Sequence, residues 1–226
     1  MLSIKNLSKV YAGGKKAVDN MTIDIESGDF IAFIGTSGSG KTTALRMINR
    51  MIESTEGEIT IDGKNIKELN PVELRRSIGY VIQQIGLMPH MTVKENIVLV
   101  PKLLKWSQEK KDEKAKELIR LVDLPEEYLD RYPSELSGGQ QQRISIARAL
   151  CQEPTIILAD EPVASLDPLT TKQVMDDLKK INEELGITIL INLHFVDLAK
   201  EYGSRIIGLR AGELVYDGPA SEIGRA

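Results

Sequence analysis

A glycine-rich run from Gly35 to Thr43 has the residue types and spacing of a loop that binds phosphate groups. Its glycines let successive backbone N–H groups point at phosphate oxygens, which side chains would otherwise obstruct. Lys41 can reach the β- and γ-phosphates of a nucleotide, and the Thr42 hydroxyl can ligate Mg²⁺. A chance match in a chain of this length has a probability on the order of 1%. The run therefore predicts a site for a nucleoside triphosphate, formed by Gly35, Thr36, Ser37, Gly38, Ser39, Gly40, Lys41, Thr42 and Thr43.

The segments on either side of this loop are the elements that such a site requires. The apolar run Phe30–Ile34 predicts a buried strand, and Ala44 to Asn49 predicts a helix. The amino end of that helix adds partial positive charge beside the phosphates. A glycine-rich turn without function is the alternative interpretation, and the strand–loop–helix context argues against it.

Two acidic residues, Asp160 and Glu161, follow the continuous apolar run Thr155 to Ala159. Carboxylates at the carboxyl end of a buried parallel strand face the ligand crevice. We expect Asp160 to hold Mg²⁺ through water and Glu161 to polarise the attacking water. Taken alone, the pair could equally be a polar strand end.

A second candidate anion site lies at Leu136 to Arg143, which reads LSGGQQQR. Ser137 offers a hydroxyl, Gly138 and Gly139 expose N–H groups, and Gln140 opens a predicted helix whose dipole points at the same place. One triphosphate does not need two such sites on one chain. A dimer in which each chain completes the other's phosphate site would use both.

The remaining pattern predicts an α/β fold with a helical insertion. The strand predictions are Ile4 to Val10, Thr22 to Ile25, Glu58 to Ile61, Ile78 to Ile82, Ile187 to Ile191, Arg205 to Leu209 and Glu213 to Tyr216. The predicted helices outside the insertion are a helix from Pro71, a long helix at Pro168 to Leu185 and a helix from Phe195. The insertion has four predicted helical segments, at Thr92 to Val100, Glu109 to Val122, Pro125 to Arg131 and Gln140 to Cys151.

The bulk composition excludes several classes of protein. A net charge of −4 over 226 residues gives no electrostatic footprint for nucleic acid. The single Cys151 cannot form an intrachain disulfide, and its apolar flank predicts a packed side chain. No apolar run is long enough to span a bilayer, and the amino terminus lacks a signal-peptide pattern. If the chain associates with a membrane, we therefore expect it to do so through a partner protein.

The phosphate loop, LSGGQQQR and IILADEP together resemble the nucleotide-binding subunit of an ATP-binding-cassette transporter, and the resemblance covers essentially the whole chain. It implies a P-loop NTPase (RecA-like) core with a parallel sheet, an antiparallel β part near the amino terminus and an inserted helical sub-domain. The implied division of residues 1–226 is a catalytic core of 1–84 and 153–226 and a helical sub-domain of 85–152.

The same resemblance assigns further site residues. Tyr11 matches the aromatic that stacks on adenine, Gln83 the glutamine that senses Mg²⁺ and the attacking water, and His194 the histidine that contacts the γ-phosphate. Gln84 is a rival for the role of Gln83. Ser165-Leu166-Asp167 matches a loop that communicates across the dimer. The implied catalytic set is Lys41, Gln83, Glu161 and His194, and the implied metal set is Thr42, Gln83 and Asp160.

The resemblance also implies partners and a location. Two chains would sandwich two ATP molecules, each between one chain's Lys41 loop and the other's Ser137 loop. The segment Ile85 to Leu104 would receive a helix from a membrane permease, and a substrate-binding protein would act indirectly. The chain would then be cytoplasmic and peripheral on the inner face of the cell membrane. No nucleic-acid partner is expected.

Two parts of the chain resemble different importers. Residues 1 to about 143, with KVY, VELRR and IGYVIQQIGLMPHMTV, resemble the ATPase of glycine-betaine and other quaternary-amine importers. From about Ile144, LADEPVASLDP and NLHFVDLA resemble the phosphonate importer ATPase, and Asn192-Leu193 stand where most relatives carry Val-Thr. A natural mosaic, a laboratory chimera and a poorly sampled branch stay open. Because the permease segment is in the first part, we favour a quaternary-amine importer, with phosphonate uptake as the alternative.

Four further interpretations carry weaker support. Betaine-type ATPases often have a C-terminal regulatory pair of domains, and because the sequence ends at Ala226, regulation of that type stays open. DNA-repair ATPases share the motifs but place a long coiled coil between them, and P-loop kinases lack LSGGQ. A catalytically dead module is possible, although no catalytic position is missing.

Overall fold

The computed structural model describes residues 1–83 and 85–224, and two β-sheets organise this part of the chain. Ten strands are assigned within the described residues. They are β1 (Leu2–Val10), β2 (Lys16–Ile25), β3 (Phe30–Ile34), β4 (Glu56–Ile61), β5 (Lys64–Asn65), β6 (Ile78–Val81), β7 (Ile156–Asp160), β8 (Thr188–Leu193), β9 (Arg205–Arg210) and β10 (Glu213–Pro219).

The larger sheet has six strands in the order β10-β9-β3-β8-β7-β6. All neighbouring pairs are parallel except β9 and β10, which form an antiparallel edge. Strands β3, β7 and β8 are apolar along most of their length because both faces of the sheet are covered. Their carboxyl ends meet at one edge, where Asp160 pairs in register with Asn192. The predicted parallel sheet is confirmed.

The smaller sheet is antiparallel, with the order β2-β1-β4-β5. Buried and exposed residues alternate along much of β2, as expected when one face packs on the core and the other meets water. This is the antiparallel part predicted near the amino terminus.

Eight α-helices connect and cover the sheets within the described residues. They are α1 (Lys41–Ile48), α2 (Pro71–Ser77), α3 (Val93–Ile97), α4 (Leu99–Leu103), α5 (Gln108–Leu121), α6 (Gly138–Leu150), α7 (Pro168–Leu185) and α8 (Val196–Tyr202). Short 3₁₀ helices lie at Ile66–Glu68, Glu126–Asp130 and Pro133–Glu135. Between β6 and β7, the described residues form helices and loops only.

Two inserted segments differ from the sequence expectation. The single helix predicted from Thr92 to Val100 is divided at Val98 into α3 and α4. Pro101 accounts for the break, because its ring has no N–H to donate and would clash with the carbonyl of Ile97 in a continuous helix. The segment predicted from Pro125 to Arg131 is a 3₁₀ helix rather than an α-helix.

The core consists of two apolar layers on opposite faces of the larger sheet. In β3, Phe30 and Ala32 belong to the layer beneath α5, α6 and α7, whereas Ile31 and Phe33 belong to the layer beneath α1 and the antiparallel sheet. This alternation follows from the two-residue period of a strand. Burial of a side chain such as Phe33 contributes about 1.5–3 kcal/mol. The strand that leads into the phosphate loop is thereby anchored from both sides.

No helix among residues 1–83 and 85–224 is both long and apolar enough to cross a membrane.

Candidate functional site

The phosphate loop connects β3 to α1, as predicted, and its glycines permit close backbone contacts. A Cβ at Gly35 would lie 2.3 Å from the Leu209 carbonyl oxygen, and one at Gly40 would lie 2.3 Å from the Ala17 carbonyl oxygen. Both glycines have positive φ, of 151° and 109°. Any side chain at either position would therefore displace neighbouring backbone.

Lys41 is the first residue of α1, and its side chain folds back over the loop. Its Nζ donates to the Gly35 carbonyl at 2.8 Å and to the Thr36 carbonyl at 3.3 Å. Burial lowers the pKa of the Lys41 ammonium, and the carboxylates of Glu161 and Asp160 act in the opposite direction. The structure therefore holds a partly desolvated cation within the loop.

Ser39 supplies a test of whether the loop fits phosphate groups. Its hydroxyl is buried and has no hydrogen-bond partner among the described residues. A buried hydroxyl without a partner carries an energetic cost that an anionic oxygen would remove. Together with the amino end of α1 and the Lys41 ammonium, this hydroxyl fits a bound phosphate.

Two of the three metal-binding residues predicted from sequence, Thr42 and Asp160, meet at the carboxyl edge of the sheet. Thr42 Oγ1 donates to Asp160 Oδ1 at 2.8 Å, and Asp160 is almost fully buried. A hydroxyl beside a carboxylate is a ligand set suited to Mg²⁺, which keeps several waters and takes few protein ligands. No cluster of three or more His, Cys, Asp or Glu side chains that could hold a metal ion occurs in the described part of the chain.

Two further contacts to Asp160 come from residues to which the sequence analysis assigned no role. Asn192 Nδ2 donates to Asp160 Oδ1 at 2.7 Å, and the Tyr80 hydroxyl donates to Asp160 Oδ2 at 3.3 Å. Burial and the Asp160 carboxylate raise the pKa of Tyr80, which keeps its hydroxyl a donor. The only sequence signal was the departure of Asn192 from the residue usual in similar chains.

Glu161 and His194 lie in direct contact. His194 Nε2 is 2.7 Å from Glu161 Oε1, with the Glu161 side chain largely buried. Glu161 has φ of 53°, a left-handed conformation that is unfavourable for a residue with a side chain. The fold thus maintains local strain at the residue predicted to polarise water.

A cleft of about 220 Å³ opens above the loop. Seven of its lining residues are the predicted run Ser37 to Thr43, and Tyr11 and Glu161 also contribute. Lys15 and Ala17 line it as well, although no pattern in the sequence pointed to them. Tyr11 is 40% exposed, so its side chain is accessible to a stacking partner.

Among the predicted metal-binding and catalytic residues, the structure leaves Gln83 apart from the others. Strand β6 ends at Val81, and Gln83 is exposed two residues beyond it, outside the lining of the cleft. Its rival, Gln84, lies outside the described residues.

The second predicted anion site forms the amino end of α6. The Ser137 side chain accepts from the Gln140 N–H while Gln140 Oε1 accepts from the Ser137 N–H, which is a reciprocal capping box. Asp167 caps α7, accepting from the Leu169 and Thr170 N–H groups. Neither Asp167 nor any residue from Ser137 to Gln140 lines the phosphate cleft of its own chain.

The amino ends of α6 and α7 pack against each other at Gly139. A Cβ there would lie 2.0 Å from Thr170 Cγ2, whereas one at Gly138 would lie 3.8 Å from its nearest neighbour. The Thr170 hydroxyl donates in turn to Asp167 Oδ2 at 2.5 Å. The close approach of α6 and α7 therefore depends on the absence of a side chain at Gly139.

The segment predicted to receive a permease helix is held by two polar side chains, the buried Asn96 and the half-buried Arg148. Asn96 Nδ2 donates to the carbonyls of Met88, Met91 and Thr92, and its Oδ1 accepts from the Met88 N–H at 2.7 Å. Arg148 of α6 donates to the carbonyls of Ile85 and Gly86. The backbone of this loop is thus fixed, while Met88 and Leu103 remain exposed.

Comparison with known proteins supports this interpretation of the site. The model of the ABC transporter family matches residues 18–164, which contain both predicted anion sites and the Asp160-Glu161 pair. Solved structures with a similar fold include the dimeric ATP-binding cassette MJ0796 bound to ADP and Pi. It is 40% identical in sequence, with a TM-score of 0.86, and the match covers 97% of this chain and 99% of that one. CbiO1 of Clostridium perfringens has a TM-score of 0.92 and is 28% identical over 98% of this chain and 89% of that one.

Curated relatives of two kinds align along nearly the full chain. The carnitine transport ATP-binding protein OpuCA of Listeria monocytogenes is 59% identical over 97% of this chain and 55% of its own length. The phosphonates import ATP-binding protein PhnC of Staphylococcus epidermidis is 57% identical over 98% of this chain and 90% of its own length. The chain thus spans about half the length of the carnitine and choline relatives that it matches.

The alignments with the two kinds of relative do not divide the chain near residue 143, since each covers both parts of it. The predicted P-loop NTPase fold is confirmed by the likeness to solved cassette structures. On the family match and these identities, the chain belongs to the ABC transporter family, as an ATP-binding cassette.

Proposed function

We propose that the chain is the ATP-binding and ATP-hydrolysing subunit of an importer. The observation that carries this proposal is the cleft in which the Lys41 loop and Glu161 share one lining, with His194 in contact with the Glu161 carboxylate. A phosphate-binding loop beside an oriented carboxylate has the parts that hydrolysis of a terminal phosphate requires. Membership of the ABC transporter family supports the assignment.

ATP and Mg²⁺ are the proposed cofactors. The loop from Gly35 to Thr43 would hold the phosphates, Tyr11 would stack on adenine, and Thr42, Asp160 and Gln83 would serve the metal. When bound, Mg²⁺ would offset the negative charge of the phosphates. The orphaned Ser39 hydroxyl and the Thr42–Asp160 contact support this fit.

The chemistry assigned to the side chains follows from their contacts. Glu161 accepts a hydrogen bond from the attacking water and polarises it, while His194 fixes the orientation of the Glu161 carboxylate. The Lys41 ammonium stabilises charge on the phosphoryl oxygens. Because Gln83 is exposed and outside the cleft, its proposed role requires that the loop after β6 move toward the nucleotide.

We further infer that the working unit is a homodimer. Ser137, Gly138, Gly139, Gln140 and Asp167 are outside the cleft of their own chain. In a head-to-tail dimer they would close the partner's cleft and provide a second set of N–H donors to the γ-phosphate. The capping box already orients the amino end of α6 for such a role.

A permease is the proposed membrane partner. In this proposal residues 1–84 and 153–226 form the catalytic core, and residues 85–152 form a helical sub-domain that receives a permease helix on the segment 85–104. The exposed Met88 and Leu103 offer an apolar contact on a loop that Asn96 and Arg148 hold in place. The chain would lie on the cytoplasmic face of the membrane, with a substrate-binding protein acting through the permease.

Quaternary-amine osmoprotectants are the proposed cargo, and phosphonates are the second candidate. The first is supported by relatives that transport carnitine and choline, at 59% and 55% identity. The second is supported by the length of the phosphonate relative, of which this chain covers 90%. A mosaic of the two classes stays a prediction.

Replacement of Glu161 by Gln tests the ATPase. The amide keeps the size of the side chain but cannot act as a base, so turnover is expected to fall by about 100-fold or more with ATP affinity unchanged. An ATP-bound dimer should accumulate and be visible by size-exclusion chromatography. The matched control is Glu183→Gln, which changes an exposed acid of α7 that pairs with Lys179.

Normal turnover of the Glu161→Gln variant would remove Glu161 from the catalytic role. Absence of ATP hydrolysis by the unaltered chain, at concentrations that support a dimer, would favour the binding-module alternative. The cargo is tested by reconstitution of the chain with candidate permeases. Stimulation of ATPase activity by a phosphonate but not by a quaternary amine would favour phosphonates over quaternary amines as the cargo.

A further inference from the structure

Asn192 is a fully buried amide at the carboxyl edge of the larger sheet. It belongs to β8, between β3 and β7, and lies in register with Phe33 on one side and Asp160 on the other. Buried central strands otherwise favour β-branched and apolar residues. A polar side chain at this position therefore calls for an explanation in terms of its contacts.

The Asn192 amide determines how the Asp160 carboxylate is held. Asp160 Oδ1 accepts from both Asn192 Nδ2, at 2.7 Å, and Thr42 Oγ1, at 2.8 Å. Within the part of the chain that the structure describes, Oδ2 accepts from the Tyr80 hydroxyl alone, at 3.3 Å. An ionised carboxylate has about four acceptor positions. Oδ1 accepts from two donors and Oδ2 from one, so Oδ2 can accept from a further partner.

The same amide leaves one polar atom unpaired. Because a carboxylate only accepts, the NH₂ group of Asn192 must face Asp160, which fixes the orientation of the amide. Asn192 Oδ1 is buried and has no hydrogen-bond partner among the described residues. A buried carbonyl oxygen without a donor is unfavourable, so its retention next to Asp160 indicates a partner that is bound during function.

We propose that Asn192 is a positioning residue of the magnesium site, which orients the Asp160 carboxylate through Nδ2 and accepts from water at that site through Oδ1. The inference rests on the proposed ATP-binding function. Valine or threonine at this position would pack in the strand, but valine could make neither contact and threonine could not reach with both a donor and an acceptor. With valine or threonine at residue 192, the Asp160 carboxylate that binds the metal would be less constrained.

Binding of Mn²⁺ tests this without reference to turnover, because Mn²⁺ takes the same oxygen ligands and its unbound form is measured by electron paramagnetic resonance. The full chain is titrated with Mn²⁺ in the presence of a non-hydrolysable ATP analogue, and nucleotide affinity is measured separately in EDTA. In Asn192→Val and Asn192→Thr, the dissociation constant for Mn²⁺ should rise about 10-fold or more. The affinity for the analogue in EDTA should not change.

Asn182→Val is the matched control. Asn182 is also a buried amide, and it donates to the carbonyls of Gly28 and Ile187. Its loss should lower the melting temperature without changing Mn²⁺ affinity, so a structural effect is separated from a metal-specific one.

Equal Mn²⁺ affinity in the Asn192 variants and the unaltered chain would overturn the inference while leaving the proposed function intact. Failure of both variants to fold would also count against it, since it would place the amide in support of the fold. If the unaltered chain did not bind the ATP analogue, the proposed function itself would fail, and this result is distinct from the other two.

Discussion

Single side chains of this cassette are tuned by burial, and Cys151 shows the effect without involvement in the site. Its thiol is fully buried, and burial raises the pKa of Cys151 to about 12. The thiolate is the reactive form of cysteine. Cys151 is therefore a packed apolar side chain, as its flanking residues had indicated.

We predict that Cys151 reacts with an aromatic disulfide reagent only when the chain is unfolded. Because the pKa is higher in the folded state, the associated stability is present below the ordinary value of 9.0 and is lost as the pH rises toward about 12. Urea unfolding over this interval should show the unaltered chain losing stability relative to Cys151→Ala. Rapid labelling of the folded chain at pH 8 would contradict the prediction.

At the scale of elements, the contact between α6 and α7 brings the Ser137 and Asp167 loops together in one chain. Gly139 permits that contact, because Thr170 Cγ2 lies 2.0 Å from the position that a Cβ at residue 139 would take. Thr170 cannot rotate freely, since its hydroxyl donates to Asp167. A change at Gly139 should therefore be transmitted to the cap of α7.

We predict that Gly139→Ala lowers the free energy of unfolding by about 1–3 kcal/mol through overpacking against Thr170. Gly138→Ala is the matched control one residue away, where a Cβ has room and helix propensity favours alanine by about 0.5–1 kcal/mol. Urea unfolding of both variants measures the difference.

The double variant Gly139→Ala with Thr170→Ser removes the clashing methyl group and should recover part of the loss. Equal stability of the Gly138→Ala and Gly139→Ala variants would show that the two helices separate at little cost.

At the scale of the whole molecule, the proposed homodimer would give each chain one half of each of two sites. The Lys41 loop lines the cleft, and the Ser137 loop does not. If two copies associate head to tail, a variant defective in one half should be complemented by a variant defective in the other.

We predict that Lys41→Ala and Ser137→Arg are each inactive as ATPases and that their equimolar mixture recovers activity. Random pairing places one intact site in each mixed dimer, so about a quarter of the unaltered activity is expected if the sites act independently. Steady-state ATPase assays of each variant and the mixture provide the measurement. A mixture with no activity, or turnover per chain that is constant down to dilutions where no dimer is detected, would argue against the shared site.

The sequence alone was sufficient for the parts of this cassette that depend on local chemistry. The phosphate loop, the strand before it, the apolar strand that ends in Asp160 and the helix that begins near Gln140 follow from spacing and periodicity over short stretches. Local rules failed where a single residue changed the pattern, as at Pro101, which divides one predicted helix into α3 and α4.

Only the tertiary structure decided which distant residues share a site. Asn192 and Tyr80 contact Asp160 because parallel pairing aligns β6, β7 and β8 in register, and residues 80, 160 and 192 are far apart along the chain. The contact of His194 with Glu161 and the exclusion of the Ser137 loop from its own chain's cleft are likewise consequences of packing. Sequence patterns specify elements and motifs, whereas register and packing determine which side chains meet, because those contacts depend on the positions of whole strands and helices.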